Sequence, residues 1–240
     1  MLKKLGSLKS QLSMQRALRK AGARRIVNTV KRERLTYLSN KKLLGITTCI
    51  GEIEKEGVAG DFIEAGCALG GSSAVIAECM GPSRRLTIYD VFSMIPPPSE
   101  NDTPDVHDRY KTIEAGESKG IGDDEYYGYM DDLKSVVERN LSRLLSAEKR
   151  ERVTLVEGLV QDTLAPDGAV AFAHVDVDWY DPVKVCLERI APRLSAGGVI
   201  ILDDYKDWGG CRKAVDEFLD GAGEAFNRDM SFGNLILTRR

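Results

Sequence analysis

Two pairs of acidic residues each close an apolar run. Val170 to Val175 is followed by Asp176 and Asp178, and Val199 to Leu202 by Asp203 and Asp204. Short apolar runs without alternation suit strands covered on both faces. Between them lies a helical pattern opened by Pro182, with Val183, Leu187, Ile190 and Leu194 on one side and Gly197-Gly198 as its stop. Proline near a helix start and glycine past its end is the expected asymmetry. Strand, helix, strand makes the two strands parallel neighbours, so their acids meet at one carboxyl edge. Open α/β sheets place their ligands at that edge. Carboxylates converging there repel one another unless a cation sits among them, and oxygen-only ligation suits Mg²⁺ or a similar hard ion. The bland alternative is a set of loop acids that splay into water.

A second stretch could hold a nucleotide. Asp61 to Glu64 reads as a strand, the turn from Ala65 to Ser73 carries Gly66, Gly70 and Gly71, and Ala74 to Met80 is helical. Glycines let a backbone approach a ligand, and a helix N-terminus offers free N–H groups. Leu86 to Tyr89 is a second strand ending in Asp90, 20 residues after Gly70, the spacing at which an acid meets ribose hydroxyls. A dinucleotide fingerprint needs a middle glycine to admit a pyrophosphate, and Ala68 stands there instead. A ligand with a ribose and an amino-acid tail but no phosphate remains, and S-adenosylmethionine fits that description.

The elements that must position these residues fit one α/β domain with an appendage, the natural size for 240 residues. A hydrophobic fraction of 42% with 30% charged residues describes a globular chain without a membrane-length apolar run. The net charge of −3 gives no reason to expect a nucleic-acid partner. Five scattered cysteines, no C-x-x-C and no apolar leader lead us to expect reduced thiols and a cytoplasmic location. With only His107 and His174 as histidines, zinc is not expected.

Residues 1–34 form a basic extension, with eleven Lys/Arg before Leu35 and the first acid at Glu33. Leu5, Leu8 and Leu12 fall at helical spacing. Such a helix can lie on an anionic membrane as a peripheral contact, or pack on the core or on a second subunit. Residues 35–240 are the main domain, opened by a helix with Leu43, Leu44, Ile46, Ile50 and Ile53 inward. Residues 93–132 read as a lid, because Pro96-Pro97-Pro98 forbids a helix there and Tyr110, Tyr126, Tyr127 and Tyr129 give the insertion something to bury. A helix from Tyr129 to Leu145, a strand Val153 to Val156, and a loop carrying Gln161 and Asp162 follow. A helix from Cys211 to Leu219 leads through a hairpin-like connection to a last strand at Leu235 to Leu237.

In order, the blocks are Gly60-Asp-Phe-Ile-Glu-Ala-Gly66, Gly70-Gly-Ser72, Tyr89-Asp-Val-Phe92, Val175-Asp-Val-Asp-Trp-Tyr180 and Gly197-Gly-Val-Ile-Ile-Leu-Asp-Asp-Tyr205, then Gly210-Cys-Arg-Lys-Ala-Val-Asp-Glu-Phe218. From about Leu35 onward this resembles the macrocin O-methyltransferase family of metal- and S-adenosylmethionine-dependent enzymes that methylate sugar hydroxyls of natural products. The resemblance implies a Rossmann-like class I methyltransferase fold: α/β, a mostly parallel central sheet with helices on both faces, and an antiparallel C-terminal strand. It implies Mg²⁺ held by Asp176, Asp203 and Asp204, with Asp176 also accepting the hydroxyl proton. It implies S-adenosylmethionine contacts at Glu64, Gly66, Ser72, Asp90, Gln161 and Asp162, with Thr36 and Tyr37 in the stretch that folds over the cofactor. The acceptor would be a sugar or glycoside and the protein a homo-oligomer. The chain departs from the family pattern at Ala68 and Leu69, after Asp90, and in its basic N-terminus. Two other readings stay open: a catechol-like diol as acceptor, and a non-catalytic membrane-surface or partner-binding module on the same fold.

Overall fold

The computed structural model describes residues 23–240. A seven-stranded sheet forms its centre, in the order β3-β2-β1-β4-β5-β7-β6. The strands are β1 (Asp61–Ala65), β2 (Leu86–Asp90), β3 (Val153–Glu157), β4 (Val170–Val175), β5 (Leu194–Leu202), β6 (Phe226–Asp229) and β7 (Leu235–Arg239). The first five pair in parallel, and β7 runs antiparallel to both β5 and β6. The expected C-terminal hairpin is therefore present, with Ser231 closing its turn onto Asp229. The helices longer than one turn are α1 (Arg24–Arg32), α2 (Asn40–Glu56), α3 (Gly71–Cys79), α4 (Pro104–Glu114), α5 (Leu133–Leu144), α6 (Tyr180–Ile190) and α7 (Gly209–Ala222).

Two hydrophobic layers sandwich the sheet. On one face Val30, Ile46, Ile50, Ala74, Ile76, Val137 and Leu141 from α1, α2, α3 and α5 meet Phe62, Phe172 and Ile201. On the other, Val183, Leu187, Val215 and Leu219 from α6 and α7 meet Ile63, Ala173, Ile200 and Leu202. Side chains alternate across a strand, so Phe62 and Glu64 share one face, as do Phe172, His174 and Asp176, and Ile201 and Asp203. Register then sets Glu64 beside His174 and His174 beside Ile201. Glu64 and His174 thus face the α2–α3 layer at the carboxyl end of the sheet, with Asp176 and Asp203 just past the ends of β4 and β5.

Several boundaries move from the sequence reading. Gly197 and Gly198 lie inside β5 rather than behind a helix; Gly197 has φ +76 and the β4–β5 register shifts there. The helix before them ends at Ile190, where Ala191–Arg193 tightens into a 3-10 turn with Pro192 inside it. The helix expected from Tyr129 begins at Leu133. The segment 93–132 contains α4, which starts after the prolines and buries Val106 and Ile113. Within the basic extension, Ile26, Val27 and Val30 of α1 are core residues against α3, so the part from residue 24 packs on the domain. The leucines expected to make a basic amphipathic helix, Leu5, Leu8 and Leu12, lie outside the described residues. Among the described residues no helix is long and apolar enough to cross a membrane.

Candidate active site

At the carboxyl ends of β1, β2, β4 and β5 lies a cavity of about 540 Å³. One wall is the glycine turn after β1, with Gly66, Cys67 and Ala68. Gly66 has φ +82, and a Cβ there would sit 1.9 Å from the Asp176 carbonyl oxygen, so only glycine lets the β1 and β4 ends close up. Ala68 also takes a left-handed backbone, φ 46, in the place of the missing middle glycine. Asp90 pins this turn: its Oδ2 accepts the Cys67 N–H at 2.7 Å and its Oδ1 the Phe92 N–H at 2.7 Å. Burial raises the Asp90 pKa, and these two N–H bonds only partly offset it.

The adjoining wall is acidic. Asp176 and Asp178 follow β4 and Asp204 follows β5, and their carboxylate oxygens lie within 4.8 Å of one another. Asp178 adopts φ 57, a left-handed conformation that acidic residues tolerate better than most and that belongs to sites held by their surroundings. Burial, with the charge on Asp203 next, pushes Asp176 up to about 8. Burial likewise raises Asp178 to about 6, and Asp204 well above the usual carboxylate range. Asp204 Oδ2 is buried without a hydrogen-bond partner. A buried, unpaired carboxylate oxygen beside two further carboxylates is the donor set a hard divalent cation takes, so the residues fit the expected ion.

Asp203 is placed differently from its neighbour. Lys42, two residues into α2, donates to Asp203 Oδ2 at 2.7 Å and to Asp207 Oδ2 at 2.9 Å. On the other side His174 Nε2 lies 3.8 Å from Asp203 Oδ1, an ion-pair distance too long for a hydrogen bond. Burial opposes ionisation of Asp203, but His174 and Lys42 outweigh it and hold the carboxyl below its usual range. His174 in turn donates from Nδ1 to Glu64 Oε1 at 3.0 Å, and Ser73 donates to Glu64 Oε2. Burial would lower the imidazole, yet the carboxylates of Asp203 and Glu64 raise it to about 10, so it carries a proton at neutral pH.

The roof comes from the 93–132 segment. Ser93, the Ile95–Pro98 run, Arg109, Tyr126 and Tyr127 line the cavity, as do Trp179 and Trp208 below them. The two tryptophan rings meet edge to face at 6.0 Å, and Trp179 donates to the Pro96 carbonyl at 2.9 Å. Two acids from this segment cap helices that follow the site. Asp102 Oδ1 accepts the Tyr180 N–H at the start of α6 (2.8 Å), and Asp105 Oδ2 the Gly209 N–H at the start of α7 (3.0 Å).

A family model described as Macrocin-O-methyltransferase (TylF) matches residues 3–226. The chain belongs to the macrocin O-methyltransferase family. The match begins at residue 3, so the basic N-terminus falls within the family pattern rather than outside it. This O-methyltransferase is 29% identical over 198 residues to the 8-demethyl-8-(2,3-dimethoxy-alpha-L-rhamnosyl)-tetracenomycin-C 4'-O-methyltransferase of Streptomyces olivaceus, spanning 76% of this chain and 67% of that one. It is 27% identical over 199 residues to the Mycinamicin III 3''-O-methyltransferase of Micromonospora griseorubida, with 78% and 71% covered. Among solved structures, the O-methyltransferase NovP superposes with a TM-score of 0.71 at 24% identity, covering 85% of this chain and 82% of that one. At that identity the likeness speaks for the fold, a Rossmann-like methyltransferase sheet. The reading of a non-catalytic module gives way to an enzyme.

Of the residues expected to hold the cofactor in this family member, Tyr37, Gly66, Asp90 and Gln161 line the cavity, and Gln161 Oε1 is buried without a partner. Thr36, Glu64, Ser72 and Asp162 do not line it. Thr36 is turned inward, its Oγ1 accepting the Leu38 N–H; Ser72 is buried in the first turn of α3; Asp162 is exposed. Glu64 has no exposed surface and spends both oxygens on His174 and Ser73. Strand parity explains it: the acid that looks poised to enter the turn points under α3 instead. Of the expected metal set, Asp176 and Asp204 come together, but the third nearest carboxylate is Asp178, while Asp203 faces Lys42 and His174. Sequence reading missed Lys42, His174, Asp102 and the two tryptophans. Their partners lie far away in sequence, and only the acid-rich loops around them hinted at cations nearby.

Proposed function

We propose that this enzyme transfers a methyl group from S-adenosylmethionine to a hydroxyl of a sugar or glycosylated natural product, with a divalent ion such as Mg²⁺. The Streptomyces olivaceus relative is named for methylation of a rhamnosyl compound, which supports the acceptor class. One observation carries the reading. Three carboxylates from the ends of two neighbouring parallel strands converge within 4.8 Å on the wall of a cavity that the glycine turn also lines. Asp176 and Asp204 would hold the ion, with Asp178 the nearest third carboxylate and Asp203 flanking them. Gly66, Asp90, Gln161 and Tyr37 would border the donor.

When bound, the donor supplies an electrophilic methyl on a charged sulfur, and the ion stabilises negative charge on an attacking oxygen. The chain's own contribution is position, water exclusion and a proton acceptor. Asp176, on the cavity wall at the end of β4 beside Asp178 and Asp204, would take the proton that the acceptor hydroxyl must lose. The 93–132 segment acts as a lid, because its prolines and tyrosines roof the cavity and its acids fasten onto α6 and α7.

The test is transfer of labelled methyl from S-adenosylmethionine to rhamnosyl glycosides, with and without EDTA, for wild type and Asp176→Asn. Chelation should stop turnover and Mg²⁺ restore it. The variant should lose turnover and keep donor binding by calorimetry. EDTA-resistant transfer, or an active Asp176→Asn enzyme, rejects these roles. A catechol offered in parallel separates sugar from aromatic diol.

A further inference from the structure

Aspartates dominate the cavity lining, and among the described residues its only lysine or arginine side chains are Lys42 and Arg109. Lys42 Nζ donates to Asp203 Oδ2, Asp207 Oδ2 and the Asp203 carbonyl, which uses all three of its N–H groups. Arg109 is differently placed. It forms no ion pair among the described residues, and one of its N–H groups goes to Ser118 Oγ at 2.9 Å. A guanidinium carries five N–H donors, so the rest of the fork is open to a ligand.

Its position on the lid calls for a partner. Arg109 stands three residues after Val106 and four before Ile113, the two buried residues of α4. Those spacings put all three on one helix face. An apolar residue is expected there, because a charge drawn in from water without a partner costs free energy. The guanidinium is also held in place. It lies 5.8 Å from the centroid of the Tyr126 ring, and Tyr126 and Ser118 are both buried. Tyr129 braces Ser118, its hydroxyl accepting the Ser118 N–H at 3.0 Å and donating to the Ile113 carbonyl at 2.7 Å. Burial is the main influence raising Asp178, and the charge of Arg109 is among those opposing it, so the guanidinium lies on the acid-cluster side of the cavity.

An oriented guanidinium edge matches the paired oxygens of a carboxylate or phosphate. We propose that Arg109 is a specificity-determining residue: it receives an oxyanion carried by the acceptor, so the preferred acceptor is a sugar linked to a carboxylate or phosphate rather than a neutral glycoside. This rests on the methyl-transfer reading above. Without Arg109 the aspartates would repel such an acceptor. The carboxylate of the donor has the same chemistry, and the test separates the two.

The experiment measures kcat/KM of the full chain with Mg²⁺ for three rhamnosides that differ only at the anomeric substituent: methyl, carboxymethyl and 1-phosphate. Wild type should prefer at least one of the anionic pair over the methyl rhamnoside, and which one it prefers names the oxyanion. In Arg109→Gln the anionic-to-neutral ratio should fall roughly tenfold to hundredfold, the loss of a hydrogen bond to a charged group. Arg109→Lys, which keeps the charge and loses the fork, should lie between. All three acceptors share the donor, so an effect on the donor cancels in the ratio. A wild type without the preference, or a ratio unmoved in Arg109→Gln, overturns the proposal. An unmoved ratio with weaker S-adenosylhomocysteine binding by calorimetry assigns Arg109 to the donor carboxylate instead. Circular dichroism checks folding, and should Arg109→Gln not fold, Ser118→Ala, which frees the guanidinium from its anchor, should lower the ratio in its place. If no rhamnoside is methylated, the methyl-transfer reading is what fails, and calorimetry of rhamnose 1-phosphate against wild type and Arg109→Lys then decides the role of Arg109: tighter binding by wild type supports it, and equal or absent binding overturns it.

Discussion

Replacing His174 with alanine should destabilise the enzyme strongly, and more at neutral than at alkaline pH. His174 has no exposed surface and sits between Glu64 Oε1 at 3.0 Å and Asp203 Oδ1 at 3.8 Å. Glu64 is also fully buried, so His174→Ala strands a carboxylate that keeps only the Ser73 hydroxyl. Removing one partner of a buried ion pair costs about 3–5 kcal/mol. For a domain of this size each kcal/mol moves Tm by about 2–4 °C, so a fall of roughly 6–20 °C is expected. The pH dependence has a definite sign. Folded, the imidazole keeps its proton up to about 10; unfolded, it releases it near ~6.5. Below the unfolded value both states are protonated and the contribution is complete. Between the two values only the folded chain holds the proton, so stability falls as pH rises, by at most about 1.4 kcal/mol per pH unit, and the contribution is gone above the folded value. Chemical denaturation of wild type and His174→Ala at pH 6, 7, 8 and 9 measures this. The difference between them should shrink steadily. A difference below about 1 kcal/mol at pH 7, far under the buried-pair cost, or one independent of pH, refutes the charged Glu64–His174–Asp203 row.

Two glycine substitutions should behave oppositely. Gly66→Ala puts a methyl 1.9 Å from the Asp176 carbonyl at φ +82, so donor binding by calorimetry should be lost and Tm lowered; Gly51→Ala in α2, with nothing within 4 Å, should stabilise by about 0.5–1 kcal/mol. Near-wild-type donor affinity in Gly66→Ala contradicts the tight β1–β4 closure. Asp102→Ala removes the acceptor that caps α6 from the roof, costing about 1 kcal/mol in a thermal melt. It should raise the acceptor KM more than it lowers kcat; an unchanged KM argues that the roof does not close over acceptor.

The strand–helix–strand unit and its acids were readable because two buried parallel strands are continuous apolar runs, and their ends must be charged to reach water or a ligand. The glycine turn was readable because Gly66, at φ +82 with no room for a Cβ, answers a backbone need that no other residue meets. Pairings across the fold were not readable. Lys42 meets Asp203 161 residues away, and nothing in a basic side chain near a helix start says which acid it will find. Glu64 looked like a ligand because it precedes the turn. Its facing depends on strand parity relative to α3, which the sequence leaves free until Phe62 is known to point the same way. The β5 glycines looked like a helix stop because glycine marks both a helix end and an irregular strand. Pro96–Pro98 ruled out helix where they stand and concealed α4, which begins at Pro104, a residue well suited to a first helical turn.

The most direct measurement is anomalous diffraction from crystals grown with Mn²⁺ and S-adenosylhomocysteine. A single anomalous peak in contact with Asp176 and Asp204, beside a nucleoside lying on the Gly66 turn, is the expected result. A peak elsewhere, or acids turned to solvent with the nucleoside bound away from them, would contradict the claim that these strand ends build one metal-assisted methyl-transfer site.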